Sequence, residues 1–268
     1  MKRNDNVIVL KFGSSVLRDV NDLPRAVKEI QRWRRDYQQV FAVVSAFGDT
    51  TDCLLRLARS VSSNPEPNAL AVLLASGEAT SSALLGLALS SAGVPNRVLD
   101  ANQAGLRTSG STLDAELIGA DATRLLSDGC ESVVVLPGFV GRDAVGATTL
   151  LGRGGSDYSA LFLAHCLNAD CLLLKDVDGL YSSDPALDPT AVRFEQVSYT
   201  TALRHCGSLV QEKAVRFASE LNLRFAISSI GADCQTLVGP LTDRLQERLA
   251  TESFRVPRLQ TKLEECIA

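Results

Sequence analysis

The chain has 268 residues, with 27 Lys and Arg against 31 Asp and Glu, and 46% of its residues are hydrophobic. This length fits one large α/β domain or two small ones, and the hydrophobic fraction excludes global disorder. The net charge of −4 offers no basic surface for nucleic acid or for an anionic membrane. An anionic substrate would therefore have to be bound by local cations.

Targeting and metal-binding signals are not expected. We expect no membrane span, and the apolar run 7–10 is too short for a signal peptide. The seven cysteines are scattered and form no CxxC pair, which predicts a reduced, cytoplasmic protein without a disulfide framework or zinc site. The two histidines, His165 and His205, are too few for a histidine-based metal site, and His165 lies in an apolar run that favours packing. We predict no metal-ligating residues.

Strands and helices alternate along the chain, which predicts parallel strands with helices on both faces of the sheet. Short apolar runs predict strands at 7–12, 40–44, 97–99, 132–136, 170–174, 224–227 and 234–238. Amphipathic spacing predicts helices at 22–37, 50–62, 113–126, 156–167, 199–206 and 210–221. The apolar stretch 69–92 is interrupted at 75–78, so we interpret it as two helices. The core domain is expected to span 1–240, with 241–268 as a tail, a docked helix or a linker to a further domain.

Two of the predicted strands end in loops of small and polar residues, where ligands bind in open α/β sheets. Lys11 stands at the tip of the first strand, and the Gly13-Ser14 backbone after it can approach a phosphate closely. A charged strand end followed by a turn is the alternative. After the second strand, Ser45 and Gly48 can contact the polar end of a ligand, whereas helix capping better explains Asp49.

An acidic residue interrupts the long apolar stretch, in the sequence Ser76-Gly77-Glu78. A carboxylate among apolar residues is costly to bury unless it pairs with a cation such as an arginine or a substrate ammonium. A first-turn glutamate favoured by the helix dipole is the competing interpretation.

The most informative segment is TTLLGRGGSDYSA, residues 148–160. Gly154-Gly155 lets the backbone approach an anion at a helix N-terminus, and Arg153 can bind a carboxylate in a bidentate manner. Asp157 in the first helical turn can orient the strand-end lysine through a charge pair. An ordinary helix cap with a solvated arginine is the alternative. The polar segment KDVDGLYSSDP, residues 175–185, suits a nucleotide base and ribose and argues against that alternative.

The ordered series KFGSSV, VVSA, SGE, PGFVG, TTLLGRGGSDYSA and DVDGLYSSDP closely resembles the aspartokinases of the amino acid kinase family, from about Val7 to Leu237. The resemblance implies an α/β/α sandwich of three layers with an open, mainly parallel sheet. It implies transfer of the γ-phosphoryl group of ATP to the side-chain carboxylate of L-aspartate, with Mg²⁺, in a homodimer. This would be the first step of aspartate-family amino acid biosynthesis.

The resemblance also implies residue roles. Lys11 would stabilise the transferring phosphoryl group and Asp157 would organise the cationic groups, so these two are the predicted catalytic residues. The predicted substrate-binding residues, with Glu78 on the ammonium and Arg153 on the α-carboxylate, are Ser45, Glu78, Arg153, Gly154, Gly155 and Ser156. The predicted nucleotide-binding residues are Lys11, Gly13, Ser14, Asp176, Tyr181 and Asp184.

The chain departs from the family pattern in three places. About 28 residues follow Pro240, so the ACT modules of aspartokinases, and feedback inhibition through them, are expected to be absent unless the chain continues into a partner domain. Only 32 residues separate Ser45 from Glu78, fewer than in typical aspartokinases. A helical lobe near the substrate pocket is therefore expected to be shorter. The family segment GAKVLHPRA is replaced by GSLVQEKA, so that Leu209 occupies the place of a lysine that reaches ATP phosphates.

Two other lysines can compensate for that loss. Lys213 is the available substitute, about one helical turn along, with a surface lysine on an amphipathic helix as the alternative. Lys175 stands where many relatives have threonine and can also reach a nucleotide phosphate. Both are added to the predicted nucleotide-binding residues.

Two other functions stay open. One is a family enzyme acting on another carboxylate, such as glutamate, or on a phosphate acceptor. The other is a non-catalytic homologue that binds a nucleotide or amino acid. The joint presence of Lys11, Glu78, Arg153 and Asp157 argues against the second, since drift would remove at least one of them.

Overall fold

The computed structural model describes residues 4, 6–126, 133–205 and 209–246. The strands are β1 Val7–Phe12, β2 Gln39–Val44, β3 Asn96–Val98, β4 Arg107–Ser111, β5 Asp114–Gly119, β6 Val133–Pro137, β7 Val140–Arg142, β8 Thr148–Leu150, β9 Asp170–Lys175, β10 Phe194–Ser198, β11 Phe225–Ser229, β12 Thr236–Gly239 and β13 Arg244–Leu245. The helices are α1 Leu23–Trp33, α2 Thr50–Val61, α3 Pro67–Ser91, α4 Ala122–Leu126, α5 Gly155–Leu167, α6 Tyr199–His205 and α7 Glu212–Glu220, with a 3₁₀ turn at Val20–Asp22.

A nine-stranded sheet forms the centre, in the order β13-β10-β12-β11-β9-β1-β2-β6-β3. The pairs β11·β12 and β10·β13 are antiparallel, and the other neighbouring pairs are parallel. In β1, Val7 and Val9 face the layer that contains α5, whereas Ile8 and Leu10 face the layer that contains α1. The central strands are therefore buried on both faces, as continuous Val, Ile and Leu runs require. The predicted three-layer α/β/α fold is confirmed.

A second sheet, in the order β5-β4-β7-β8, was not predicted. The predicted helix 113–126 is wrong over most of its length, because β5 occupies its first half and only α4 is helical. Burial alternates along β5, with Ala115 and Leu117 inside and Glu116 and Ile118 outside. That two-residue period is the signature of a half-buried strand, and the apolar content of the segment concealed it.

The stretch interpreted as two helices is one continuous helix, α3, of 25 residues. Gly77 does not break it. A Cβ at that position would lie 2.9 Å from the Cβ of Ala46, so the glycine permits close packing against the loop after β2. By length and composition alone α3 could cross a membrane, although the sequence led us to expect no membrane span. It packs against β6, β8 and α2, as a core helix does.

Several boundaries also differ. Helix α1 ends at Trp33, Val210 precedes α7, and β10 lies in a region where no strand was predicted. The main sheet continues past the predicted boundary at 240, because β13 pairs with β10. Ser132 and Cys206, at the ends of two predicted elements, and the tail from residue 247 lie outside the described residues.

Four cysteines within the described ranges are free thiols, namely Cys53, Cys166, Cys171 and Cys234. The other three, Cys130, Cys206 and Cys266, lie outside those ranges. The side chain of His165 is exposed rather than enclosed in the core, and its ring meets Phe217 edge-on at 6.3 Å.

Candidate active site

The carboxyl ends of β1, β2 and β9 open into one cleft of about 720 Å³. These strands are adjacent and parallel, so the loops that follow them meet at the same edge of the sheet. The predicted site residues that line the cleft are Lys11, Gly13, Ser14, Ser45, Gly154, Ser156, Asp157, Lys175, Asp176, Tyr181 and Asp184.

Two lysines share one aspartate at the floor of the cleft. Lys11 is the penultimate residue of β1 and Lys175 is the last residue of β9. Both lie on the face that α5 covers, and Asp157 lies in the first turn of α5. The Lys11 Nζ lies 2.7 Å from Asp157 Oδ1, and the Lys175 Nζ lies 2.8 Å from Asp157 Oδ2. All three side chains are buried. The predicted charge pair of Asp157 with the strand-end lysine is therefore present, and one carboxylate serves two ammonium groups.

The cluster carries an excess of one positive charge. Burial, reinforced by the Lys175 charge, lowers the pKa of Lys11 despite its pairing with Asp157. Burial alone would raise the pKa of Asp157, but the two lysines outweigh it and hold that pKa well below its usual value. The floor of the cleft thus holds Asp157 ionised and attracts a ligand anion.

Small residues leave room beside the lysines. A Cβ at Gly13 would lie 3.0 Å from the Lys11 Nζ, so a side chain at this position would crowd the ammonium. The hydroxyls of Ser45 and Ser156 lie 2.8 Å apart and join the loop after β2 to the start of α5. The Ser81 hydroxyl of α3 donates a hydrogen bond to the carbonyl oxygen of Ser45 at 2.7 Å, which ties the loop after β2 to α3.

Glu78 projects from α3 behind this floor and does not line the cleft itself. Its side chain is only 3% exposed, and its Oε2 has no hydrogen-bond partner. Burial raises the pKa of Glu78 to about 7, although the Ala46 backbone and the Lys11 charge oppose this shift. A buried carboxylate oxygen without a partner fits a ligand cation.

Arg153 and Gly155 also lie outside the lining of the cleft. Arg153 is exposed, and no carboxylate of the described residues pairs with it. Gly155 begins α5 in a tight space, where a Cβ would lie 2.8 Å from both Leu151 and Phe139. Its role is therefore to let the helix start close to the sheet, whereas Gly154 lines the cleft.

Lys213 is not in the cleft, contrary to the prediction that it binds the nucleotide. Its Nζ lies 2.7 Å from Asp114 Oδ1 and 3.0 Å from Glu116 Oε1, and it donates to the carbonyl oxygens of Ala115 and Leu151, each at 3.0 Å. An ammonium has three donors, and these four oxygens occupy them. Lys213 therefore has no donor left for a phosphate, and we remove it from the nucleotide-binding residues.

The loop after β9 forms one wall of the cleft. Tyr181 donates a hydrogen bond from its hydroxyl to Asp178 Oδ1 at 2.6 Å, and burial together with this bond raises the Tyr181 pKa to about 12. The carboxylate of Asp184 accepts from the Ala186 backbone at 2.9 Å, which shapes the turn beside Pro185. Tyr181 is thus held as a neutral phenol along the wall.

Sequence reasoning missed several cleft residues, among them Arg204, His205 and Gln211. Arg204 and His205 end α6, where basic residues are ordinarily explained by the helix dipole. Leu209 lines the cleft as well, so the chain presents an apolar side chain where the family pattern has a lysine.

The lining of the cleft is compatible with a nucleotide. Lys11 and Lys175 offer ammonium groups to phosphates, and Tyr181 and Leu180 offer an aromatic and an apolar side chain to a base. The described residues include no group of three or more His, Cys, Asp or Glu that could bind a metal ion. Mg²⁺ commonly keeps waters and binds substrate phosphates with one or two carboxylates, which such a site accommodates.

Comparisons with known proteins identify the family of this chain. The family model for the amino acid kinase family matches residues 6–227. An aspartokinase of Mycolicibacterium smegmatis is 37% identical over 236 residues, which are 85% of this chain and 55% of that protein. The chain thus spans about half the length of the relatives that it matches.

Two solved structures extend the comparison. The aspartate kinase from Synechocystis superposes with a TM-score of 0.77 at 30% identity, covering 90% of this chain and 40% of that one. Aspartokinase III of E. coli, in complex with aspartate and ADP, superposes with a TM-score of 0.73 at 21% identity, covering 87% of this chain and 65% of that one. The second comparison supports the fold alone. With its motifs, its sheet order and the matching family model, this chain belongs to the amino acid kinase family.

Proposed function

We propose that this chain transfers the γ-phosphoryl group of ATP to the side-chain carboxylate of L-aspartate, forming 4-phospho-L-aspartate and ADP. The observation that carries the proposal is the floor of the cleft, where Lys11 and Lys175 share Asp157. The resulting positive charge is buried at the floor of the cleft, where it acts on a phosphoryl group with little screening.

Residues beside that floor can bind the ammonium group and the α-carboxylate of an amino acid. Glu78 supplies a buried carboxylate with one free oxygen for the substrate ammonium. Arg153 supplies an exposed guanidinium without an ion pair among the described residues, which is available to the α-carboxylate. With both main-chain groups of aspartate bound, its side-chain carboxylate is the one directed to the phosphoryl group.

The mechanism needs alignment and charge stabilisation rather than a general base. A side-chain carboxylate oxygen attacks the γ-phosphorus, a phosphorus–oxygen bond forms, and the bond to the ADP oxygen breaks. Lys11 stabilises the negative charge on the transferring group, and Asp157 holds Lys11 in place and charged. Lys175 binds the nucleotide phosphates from the neighbouring strand. The shortage of histidines is no obstacle, because no proton has to be removed from a carboxylate.

Mg²⁺ would neutralise phosphate charge when bound, with Asp176 at the cleft as the candidate carboxylate. Asp157 is less suited to this role because both of its oxygens are already paired with lysines.

The relatives support the choice of aspartate. The Mycolicibacterium smegmatis protein, at 37% identity, is named an aspartokinase, and the Synechocystis structure, at 30% identity, is that of an aspartate kinase. The family resemblance further predicts a homodimer, a cytoplasmic location and a product used for amino acid biosynthesis. Sedimentation of the purified chain would measure the first of these.

Trapping of the acyl phosphate tests the proposal. The purified chain is incubated with Mg-ATP, hydroxylamine and one of L-aspartate, L-glutamate or N-acetyl-L-glutamate. We expect hydroxamate from L-aspartate. Hydroxamate from glutamate alone would move the chain to a neighbouring branch of the family, and no hydroxamate from any of them would refute the kinase assignment for these acceptors.

A further inference from the structure

The glycine-rich loop that carries Arg153 is enclosed by side chains from two other elements. Gly152 has a φ of +72°, and a Cβ there would lie 2.2 Å from the Asp114 Oδ1. Gly154 has a φ of +75°, and a Cβ there would lie 2.1 Å from the Cβ of Gln211. The loop therefore lies directly against the start of β5 and the residue before α7. Neither element carries a residue that we assign to the substrate.

Lys213 of α7 connects these contacts. Its ammonium is bonded to the Asp114 carboxylate and to the carbonyl oxygen of Leu151, at 2.7 and 3.0 Å. Leu151 immediately precedes Gly152 and forms an isolated antiparallel bridge with Asp114. The Lys213 ammonium thus holds the Asp114 side chain, which packs on Gly152, and also the backbone of Leu151, where the loop begins.

Arg153 depends on this arrangement for its direction. Its side chain is exposed, and in the described part of the chain it has no carboxylate partner to orient it. The backbone on either side consists of glycines, which restrict their own conformation least. The position of the guanidinium is therefore set by what packs against the loop rather than by the loop itself.

We propose that Lys213 and Asp114 are positioning residues for the acceptor: they hold the glycine-rich loop so that Arg153 meets the α-carboxylate of the substrate. The proposal rests on the proposed function. It assigns Lys213 to amino acid binding and separates it from the nucleotide, although its sequence position had indicated a phosphate ligand.

The test uses steady-state kinetics of Lys213→Met with Lys28→Met as a matched control. Lys28 is an exposed lysine on α1. In the wild type, Asp114 and Glu116 are 70% and 60% exposed, so the loss of Lys213 leaves no buried charge and the variant is expected to fold. We expect the KM for L-aspartate to rise about tenfold, because small displacements of a substrate-binding group carry large penalties. The KM for ATP should stay within about twofold, as should both constants in the control.

A double-mutant cycle with Arg153→Ala separates positioning from a general structural effect. If Lys213 acts through Arg153, adding Lys213→Met to Arg153→Ala raises the KM for aspartate little further. Independent, multiplying effects would overturn the proposal. So would a raised KM for ATP in Lys213→Met, or an unchanged KM for aspartate in either single variant.

Two more variants cover the case in which Lys213→Met does not fold. Lys213→Arg keeps the charge and should keep the KM for aspartate near that of the wild type. Asp114→Asn weakens only the contact with Lys213 and should raise the KM for aspartate. A wild-type KM for aspartate in Asp114→Asn would overturn the proposal. A wild-type chain that forms no hydroxamate would refute the proposed function instead, whereas an active chain with these KM values unchanged would refute only the positioning role.

Discussion

Replacing Glu78 by glutamine separates the effect of this residue on the stability of the fold from its effect on substrate binding. Its side chain is 3% exposed and one of its oxygens has no partner. Burial raises its pKa from 4.5 to about 7. The folded state therefore binds a proton more tightly than the unfolded chain does. By linkage, the free energy of unfolding decreases as the pH rises from about 4.5 to about 7.

The magnitude follows from the size of the shift. One pKa unit corresponds to about 1.4 kcal/mol, so the ionised Glu78 costs the folded state about 3 kcal/mol above pH 7. Glutamine carries no charge at any pH and has no such penalty. Relative to Glu78→Gln, the wild type should thus lose about 3 kcal/mol of stability between about pH 4.5 and pH 8. Urea unfolding at both pH values measures this difference, with Glu220→Gln as an exposed control.

L-Aspartate supplies the second half of the experiment. At about pH 8 it should raise the urea midpoint of the wild type, because a ligand that binds only the folded state stabilises it. The midpoint of Glu78→Gln should respond far less, since the variant cannot pair with the ammonium. A stability difference that is independent of pH would refute the buried, ionising carboxylate. An equal response to aspartate would remove Glu78 from the substrate site.

Three further substitutions test the cleft. Lys11→Met should lower kcat at least about a hundredfold with a smaller change in KM, because its charge acts most strongly in the transition state; an unchanged kcat in an ADP-release assay would refute its catalytic role. Lys175→Met should raise the KM for ATP about tenfold in the same assay, through loss of a charge-assisted contact, and a normal KM would exclude it from the phosphate site. Gly154→Ala should lower the urea midpoint, since its φ is +75° and Gln211 fills the space; a wild-type midpoint would contradict the packing.

The positions of the strand-end residues could be predicted because a parallel sheet collects its carboxyl-terminal loops at one edge. Lys11 and Asp157 are far apart in the chain. Side chains alternate between the two faces of β1, which places Lys11 on the face where α5 begins, and its Nζ lies 2.7 Å from Asp157 Oδ1. The pairing of Lys175 with the same carboxylate was not predicted, because it depends on the register of β9 beside β1. Register between non-adjacent segments is a tertiary property.

Other features depended on contacts that no local pattern carries. The unbroken course of α3 through Gly77 reflects the close approach of Ala46, whereas sequence alone showed a glycine beside a charge. The location of Lys213 was decided by Asp114, about a hundred residues away in the chain, and by two carbonyl oxygens. Helical spacing placed Lys213 near the cleft but gave no information on which oxygens would bind it.

The most direct test of the proposed reaction is the identity of the hydroxamate formed from L-aspartate. Incubation with Mg-ATP and hydroxylamine, followed by chromatography and mass spectrometry against both authentic isomers, distinguishes the side-chain hydroxamate from the α-hydroxamate. We predict the side-chain isomer alone, because Glu78 and Arg153 are assigned to the ammonium and the α-carboxylate. Formation of the α-isomer would contradict that orientation, and the absence of either isomer would contradict phosphoryl transfer to aspartate.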